Sequence, residues 1–433
     1  MAKVFLLVLA VVCGAVAEVV NENALVQLDL TQAYPILSTK IMATSDEAFT
    51  SYTFLLPKEL KVASIKFTDA DSEQEIAYEN VGLVEEGLRD RKTTLKATEY
   101  VLSFEAVTKK QIVVDYIETN SVVPRPKTLS EFKTIEGDYT SLICPMSMYL
   151  TKSCQVVVEH STGIKVLSAQ AHNTVGNNTA IGPIDDIEPM REERVQIHFA
   201  PKVHLKIESM THIIDLPTVA SNARVEDWFE GATNEGPFVE KFSRADFQKN
   251  IGNYPNAIGV FEMAFDARAE HFIYKDRSGN ISTSEVMLHD ENVTLMALPR
   301  YPLMSGWKTE FMIGHDIAAN VIQKDGKVIV KLPQLKEAIA EKVIAKVYLP
   351  DGAKYTKCTG LGKVEVTERD AFMSFAKRAE VDVQFENVNL MEENLFVVEF
   401  EESVTAATGT LVVFSAYISV VLIAFFLFIE YSA

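Results

Sequence analysis

The stretch VDVQF, residues Val381 to Phe385, alternates apolar and polar side chains. Because successive side chains of a β-strand point to opposite faces of a sheet, this alternation predicts a half-buried strand. The same pattern recurs at 26–30 (VQLDL), 195–199 (VQIHF), 110–117 and 327–332, the last of which follows the turn dipeptide Asp325-Gly326. The sequence therefore predicts a mainly β fold.

Helical periodicity is sparse in the body of the chain. Its best case is Gln334 to Lys342, which follows Pro333 and is predicted as a helix. Turn-forming residues accumulate between Leu216 and Pro237, with strand-rich regions of similar length on either side. We therefore expect two tandem β-rich, sandwich-like domains at 18–221 and 222–405.

The first 17 residues have the parts of a secretory signal peptide. Lys3 lies in a short basic start, an apolar run follows from Val4 to Val12, and Ala15-Val16-Ala17 is a small-x-small cleavage site. The apolar run is too short to span a membrane, and the chain turns polar directly after Ala17. We expect removal of residues 1–17 and entry into the secretory pathway.

At the other end, Leu411 to Ile429 contains no charged residue and would span about 28 Å as a helix. No Lys or Arg flanks it, so orientation must come from the signal peptide. We expect a transmembrane helix at 408–429, a lumenal body and a cytosolic stub at 430–433. A lipid-anchor signal is the competing reading, but the segment upstream, Phe400 to Ser403, is a poor attachment site.

The overall charge of the chain argues against one class of partner. Sixty acidic and 41 basic residues give a net charge of −19, and such a surface would repel phosphate backbones, so nucleic-acid binding is not expected. The composition, with 48% hydrophobic and 23% charged residues, is that of a folded body. The motifs G-x-S-x-G, H-E-x-x-H and C-x-x-C do not occur, which disfavours an enzyme.

Several residues are candidates for modification or cross-linking in an oxidising lumen. Asn177, Asn280 and Asn292 open N-x-Ser/Thr acceptor triplets for N-linked sugar. Cys144 and Cys154 are close enough in sequence for a local disulfide, although the spacing alone leaves the pairing open. His198, His204 and His212 are separated by even numbers of residues and could therefore share one face of a strand. Ordinary half-buried histidines are nevertheless a better explanation than a metal site.

The most unusual stretch is PRYPLMSGWKT, residues 299–309. Its two prolines stiffen the backbone, and Gly306 permits angles closed to other residues. A rigid corner with Trp307 in the core is the favoured reading, and a partner-binding patch is the alternative. The residues proposed for either role are Arg300, Tyr301, Gly306, Trp307 and Lys308.

These motifs resemble the ribophorin I family, the large single-span subunit of the oligosaccharyltransferase complex of the endoplasmic reticulum. The resemblance covers most of the body, and its motifs occur in the same order as in the family. They are GPF at 236–238, SR at 243–244, YKD at 274–276, GNISTS at 279–284, PRYPL at 299–303, GWKT at 306–309 and LPDGAK at 349–354. One local departure is the insertion Val239 to Phe242, which the family pattern lacks.

The resemblance implies a non-catalytic subunit that aids assembly of the complex and presents polypeptide substrates. It implies no cofactor in this chain, because the divalent metal and dolichyl-pyrophosphate oligosaccharide belong to a separate multi-spanning catalytic subunit. Expected partners are that subunit, other subunits, nascent polypeptide and membrane lipid, and Asn280 falls on the family's glycosylated position. Animal members continue into a long helical cytosolic region, so functions assigned to that region, ribosome contact in particular, are not transferred to this chain. The alternative is a cell-surface or lipid-anchored adhesion or recognition ectodomain.

Overall fold

A computed structural model describes residues 18–87, 94–119, 121–130, 133–161, 163–168, 171–218, 221–249, 254–360, 362–370 and 376–432. The predicted signal peptide, 1–17, and the last residue of the predicted stub lie outside these ranges. The described chain consists mainly of β-strands, as predicted. Each strand-forming stretch that the alternation indicated is a strand in the structure.

The first half forms two sheets. Its strands are β1 (Val20–Asp29), β2 (Ile36–Pro57), β3 (Lys61–Asp69), β4 (Tyr78–Gly87), β5 (Thr94–Thr119), β6 (Val122–Arg125), β7 (Thr128–Leu129), β8 (Glu136–Leu142), β9 (Met146–Ser147), β10 (Thr151–Glu159), β11 (Lys165–Val166), β12 (His172–Val175), β13 (Asn178–Ile187) and β14 (Arg194–Phe199).

The larger of these sheets has the order β12-β13-β10-β1-β2-β5-β3, with β4 on β5 and β9 on β2. The smaller has the order β11-β14-β8-β6. Their inward side chains share one core: Leu37 and Phe54 of the larger sheet belong to the same buried cluster as Tyr139 and Ile197 of the smaller one. Burial of these apolar side chains provides the main stabilisation of this half.

The second half contains the remaining elements. They are β15 (Leu205–Ile207), β16 (Ser209–Asp215), β17 (Asn222–Asn234), β18 (Phe238–Val239), α1 (Arg244–Lys249), β19 (Ala257–Ile258), β20 (Phe261–Asp266), β21 (Glu270–Asp276), β22 (Gly279–Asn280), β23 (Ser284–Leu288), β24 (Asn292–Ala297), β25 (Leu303–Met304), β26 (Lys308–Ala318), α2 (Ala319–Ile322), β27 (Gln323–Lys324), β28 (Lys327–Lys331), β29 (Gln334–Leu335), β30 (Ala338–Tyr348), β31 (Lys354–Thr359), β32 (Lys363–Arg369), β33 (Arg378–Asn389), β34 (Leu395–Glu401) and α3 (Val404–Ser432).

A long sheet with the order β22-β21-β26-β17-β15-β30-β33-β32 dominates this half, and β16 also pairs with β17 and β30. Two smaller sheets, β23-β24-β20-β29 and β27-β28-β34-β31, contribute side chains to the same core. Phe261 of β20 stacks on Phe311 of β26, with ring centroids 4.6 Å apart. The second half therefore has one core of its own, built from three sheets.

The change from one half to the other lies earlier than the sequence suggested. The expected boundary between residues 221 and 222 falls inside the long sheet, because β15 and β16 precede it and pair with β17 and β30. The segment after Leu216, which contains Pro217, connects the antiparallel strands β16 and β17. The sheets change instead between Phe199 and Leu205, where Pro201 interrupts strand pairing.

The predicted helix from Gln334 to Lys342 is wrong. Gln334 and Leu335 pair with β20, and the chain then enters β30, a central strand of the long sheet. Glu337, between the two strands, has φ of 54°, which ends any regular helical path. Ala338, Ile339 and Ala340 are all buried, so this run lacks the alternation that identifies a half-exposed strand.

The C-terminal helix α3 contains the apolar segment Leu411–Ile429, which is long and apolar enough to cross a membrane. Its described apolar side chains are exposed to the surroundings, as Phe414 and Leu427 illustrate. The helix begins at Val404, directly after β34 ends at Glu401. The body is therefore joined to α3 by only two residues, Glu402 and Ser403.

Candidate functional site

The stretch 299–309 forms a tight corner that leads into β26. Gly306 has φ of 77°, and a Cβ atom there would lie 2.8 Å from the Cα of Phe238. The half-buried Trp307 donates from its backbone N to the carbonyl of Met304 (2.9 Å) and from Nε1 to the carbonyl of Val239 (2.9 Å). Gly306 is thus required by both backbone angle and space, and Trp307 fixes the corner on β18.

This corner is part of the contact between the two halves. Leu129 and Ile135 of the first half share a small buried cluster with Val239, Tyr254 and Met304 of the second. The strands β7 and β18 also pair in parallel across the junction. Because strand pairing and apolar burial both cross it, the junction is a packed interface.

One buried amide strengthens the same junction. The Nδ2 atom of Asn256 donates to the carbonyls of Ser130 (3.2 Å) and Lys133 (3.1 Å), both in the first half. The backbone carbonyl of Asn256 accepts from Nδ2 of Asn234 at 2.9 Å. Buried amides with several partners fix a single arrangement of the segments that they connect.

Arg300 holds the turn that carries the predicted acceptor Asn280. Its Nε donates to Oδ2 of Asp276 (2.6 Å), and its Nη2 donates to the carbonyls of Gly279 (3.2 Å) and Asn280 (2.9 Å). Burial alone would raise the pKa of Asp276, but the bond from Arg300 keeps that pKa below its ordinary value. The arginine therefore acts as a charged clamp on the β21–β22 hairpin.

The other predicted residues of this motif lie on the surface. Tyr301 is 57% exposed. Lys308 is exposed and forms an ion pair with Glu208. The structure thus divides the motif into a half-buried corner at Gly306 and Trp307 and an exposed side at Arg300, Tyr301 and Lys308.

All three predicted acceptor asparagines are exposed. Asn177 lies in the turn between β12 and β13, Asn280 in β22, and Asn292 at the start of β24. Glycans at these positions would extend into solvent without displacing core residues. Their occupancy stays a prediction.

The strand β23 forms an exposed apolar edge between Asn280 and Asn292. It pairs only with β24 among the described strands. Val286 and Leu288 are 42% and 77% exposed, yet they lie directly opposite Leu295 and Val293, which are buried. The apolar face of this sheet therefore continues past the part that the body covers. An unpaired strand edge with exposed apolar side chains can accept another extended chain.

The junction also encloses a cavity of about 270 Å³. Glu118 of the first half lines it opposite Glu235 of the second. Burial raises the pKa of Glu118 to about 7. A hydrogen bond from the Tyr139 hydroxyl (2.8 Å) lowers this pKa, but its effect is smaller than that of burial.

Glu235 behaves differently. Its burial favours the neutral form, but His204 (3.0 Å) and Lys206 (3.4 Å) hold its pKa below the ordinary value. The cavity thus presents one carboxyl group that is readily protonated and one that is ionised. Such a lining accepts hydrogen bonds and disfavours anions.

The remaining predicted residues occupy structural positions. Cys144 and Cys154 form a buried disulfide with their Cα atoms 5.8 Å apart, the pairing that the sequence left open. His198, His204 and His212 each bond a different carboxylate and do not converge. Among the described residues, no group of three or more His, Cys, Asp or Glu side chains is placed to hold a metal ion.

A family model described as Ribophorin I matches residues 19–429. The chain belongs to the ribophorin I family. It is 28% identical over 233 residues to "Dolichyl-diphosphooligosaccharide--protein glycosyltransferase subunit 1" of Caenorhabditis elegans, a match that covers 51% of this chain and 39% of the relative. It is 23% identical over 338 residues to subunit 1A of Arabidopsis thaliana, which covers 66% of this chain and 55% of the relative.

The chain spans between about two fifths and three fifths of the length of these relatives. Among solved structures, it is similar to an M1 zinc metallopeptidase from Deinococcus radiodurans, with a TM-score of 0.25, 9% identity and 44% of each chain covered. That similarity is too low to support an argument about function.

Proposed function

We propose that this chain is a subunit of an oligosaccharyltransferase complex that transfers oligosaccharide to asparagine in the lumen of the endoplasmic reticulum. The observation that carries the proposal is the family match over residues 19–429, together with relatives named as glycosyltransferase subunits. In this proposal α3 spans the membrane, the β-rich body is lumenal and the C-terminus is cytosolic. Exposure of the three acceptor asparagines is compatible with that placement.

Within the complex, we assign the chain a non-catalytic role in assembly and in presentation of polypeptide substrates. The divalent metal and the dolichyl-pyrophosphate oligosaccharide would be bound by a separate catalytic subunit. The described part of this chain offers two docking surfaces, an exposed apolar strand edge and an apolar helix.

We place polypeptide presentation at the β23 edge. A subunit that handles many substrates must bind chains of different sequence, and an unpaired strand edge does so through backbone hydrogen bonds that every residue except proline can form. The exposed Val286 and Leu288 would add apolar contact on one face. The occupant is therefore an extended segment of nascent polypeptide that pairs with β23.

Membership of the complex is tested by isolation in mild detergent. We expect the catalytic glycosyltransferase subunit to co-purify in a stable complex with the tagged chain. Its absence from such a preparation would remove the proposal. Glycans on the chain should also remain of the unprocessed high-mannose type, whereas surface labelling would favour the adhesion alternative.

The role of β23 needs a separate test, because it can fail while membership holds. A photo-crosslinking residue at position 288 should capture newly synthesised polypeptide in intact microsomes. The matched control is position 175, because Val175 is 72% exposed and also lies on an edge strand, β12. Equal capture from both positions would contradict the assignment to β23.

A further inference from the structure

Three neighbouring strands of the second half bring His212, Asp227 and His315 to one inward face of the long sheet. His212 lies directly opposite Asp227 in register, and its Nδ1 is 2.6 Å from Oδ1 of Asp227. His315 lies opposite Val225, two residues from Asp227, and therefore shares its face. The three side chains are only 2%, 0% and 6% exposed.

Each of these side chains keeps a buried polar atom without a hydrogen-bond partner among the described residues. The atoms are His212 Nε2, Asp227 Oδ2 and His315 Nδ1. Burial lowers the pKa of His315 to about 4, so its imidazole is neutral at physiological pH. Unpaired polar atoms in a protein interior are costly, and three together indicate a group that is bound there.

The three residues that carry these atoms line a cavity of about 210 Å³. Its walls are mostly apolar and include Ile214, Val225, Phe265 and Ile317. The charged side chains of Asp266, Arg268 and Lys331 also line it. A cavity of about 150 Å³ is known to hold a benzene molecule in another protein. This cavity therefore has room for one substituted ring, and it is smaller than the pockets of about 300 Å³ or more that hold drug-sized ligands.

We propose that this cavity binds a phenolic ring, with its hydroxyl group on Asp227 and the histidines and its ring against the apolar wall. A hydroxyl group donates to Asp227 Oδ2 and accepts from an imidazole N–H, so it pairs with both kinds of atom. A carboxylate would be repelled by Asp227. An ammonium ion would lose its hydration against the mostly apolar walls, and Arg268 and Lys331, which also line the cavity, would repel it. This site lies apart from the β23 edge and does not depend on the proposed role in glycosylation.

The ligand test compares p-cresol with toluene, which has the same ring and methyl group but no hydroxyl. Both are titrated by calorimetry into the full-length chain in lipid nanodiscs, with empty nanodiscs subtracted. We expect p-cresol to bind at least about tenfold more tightly, as for a hydrogen bond to a buried carboxylate. Equal binding of the two, or no binding to the folded chain, would mean that ordered water alone satisfies the buried atoms and would overturn the proposal.

Two variants locate the site. Ala264 is half-buried and lines the cavity, so Ala264→Leu should fill it and abolish p-cresol binding. Ala48→Leu, at an exposed position of β2, is the matched control and should leave binding unchanged. Asp227→Asn should reduce the preference for p-cresol over toluene to near unity. Full binding by Ala264→Leu, or an undiminished preference in Asp227→Asn, would overturn the assignment.

A phenolic ring can come from a free small molecule or from a tyrosine side chain of a polypeptide. The two sources are separated with N-acetyl-tyrosinamide, whose backbone groups must remain outside the cavity. Binding of both this compound and p-cresol would indicate a tyrosine side chain as the ligand. Binding of p-cresol alone would indicate a free phenolic molecule.

Discussion

Replacement of Glu118 by glutamine should change how stability depends on pH. Burial raises the pKa of this carboxyl group from 4.5 to about 7 in the folded chain. The folded state therefore binds a proton more tightly than the unfolded state. The resulting stabilisation is complete below pH 4.5, decreases as pH rises and is lost above about pH 7. It amounts to about 3 kcal/mol in total, of which about 2.5 kcal/mol is lost between pH 5 and pH 8.

Glutamine keeps an acceptor for the Tyr139 hydroxyl but does not ionise, so this contribution to the pH dependence should disappear. The free energy of unfolding is measured in urea at pH 5, 6, 7 and 8 for the wild type and for Glu118→Gln. Their difference should change by about 2.5 kcal/mol over this range, with the variant gaining relative stability at high pH. Glu105→Gln, at an exposed position of the same strand, is the control. A difference that stays constant from pH 5 to pH 8 would refute the reasoning.

Three further perturbations test other parts of the structure. Gly306→Ala should destabilise the chain by about 2 kcal/mol more than Gly82→Ala in thermal or urea unfolding. Both glycines have positive φ, but only Gly306 lacks space for a Cβ atom. Equal losses of stability in the two variants would contradict this. Replacing Cys144 and Cys154 together by serine should cost about 3 kcal/mol in urea unfolding, from their separation of 10 residues, and no loss would exclude a stabilising bridge. Arg300→Ala should increase amide hydrogen exchange at 277–281 without changing exchange in the first half, and unchanged exchange there would show that the clamp is dispensable.

Local sequence pattern was sufficient for most of the fold. Strict alternation identified VQLDL and VDVQF because each strand has one face that is more deeply buried than the other. It failed at the start of β30, where Ala338, Ile339 and Ala340 are all buried and no polar side chain alternates with the apolar ones. The apolar run from Ala338 was therefore predicted as a helix, because periodicity alone cannot distinguish a fully buried strand from a buried helix.

The candidate sites depended on contacts that no local window contains. The motif at 299–309 was predictable, because proline, glycine and tryptophan restrict the backbone wherever they occur. The buried state of Glu118 was not, because Tyr139 and the opposite wall of the cavity come from distant segments. Likewise, His212 appeared ordinary beside its sequence neighbours, and only strand register places it against Asp227.

The short connection between β34 and α3 limits how the body can move. Glu402 and Ser403 alone separate the two elements, and even fully extended they reach only about 7 Å. Gln323 in addition donates a hydrogen bond to Glu402 at 2.8 Å. A rotation of α3 about its axis would therefore carry the sheets with it. If α3 spans a membrane, neighbouring helices that pack against it would fix its rotation about its axis. They would thereby set the direction in which β23 faces within the plane of the membrane.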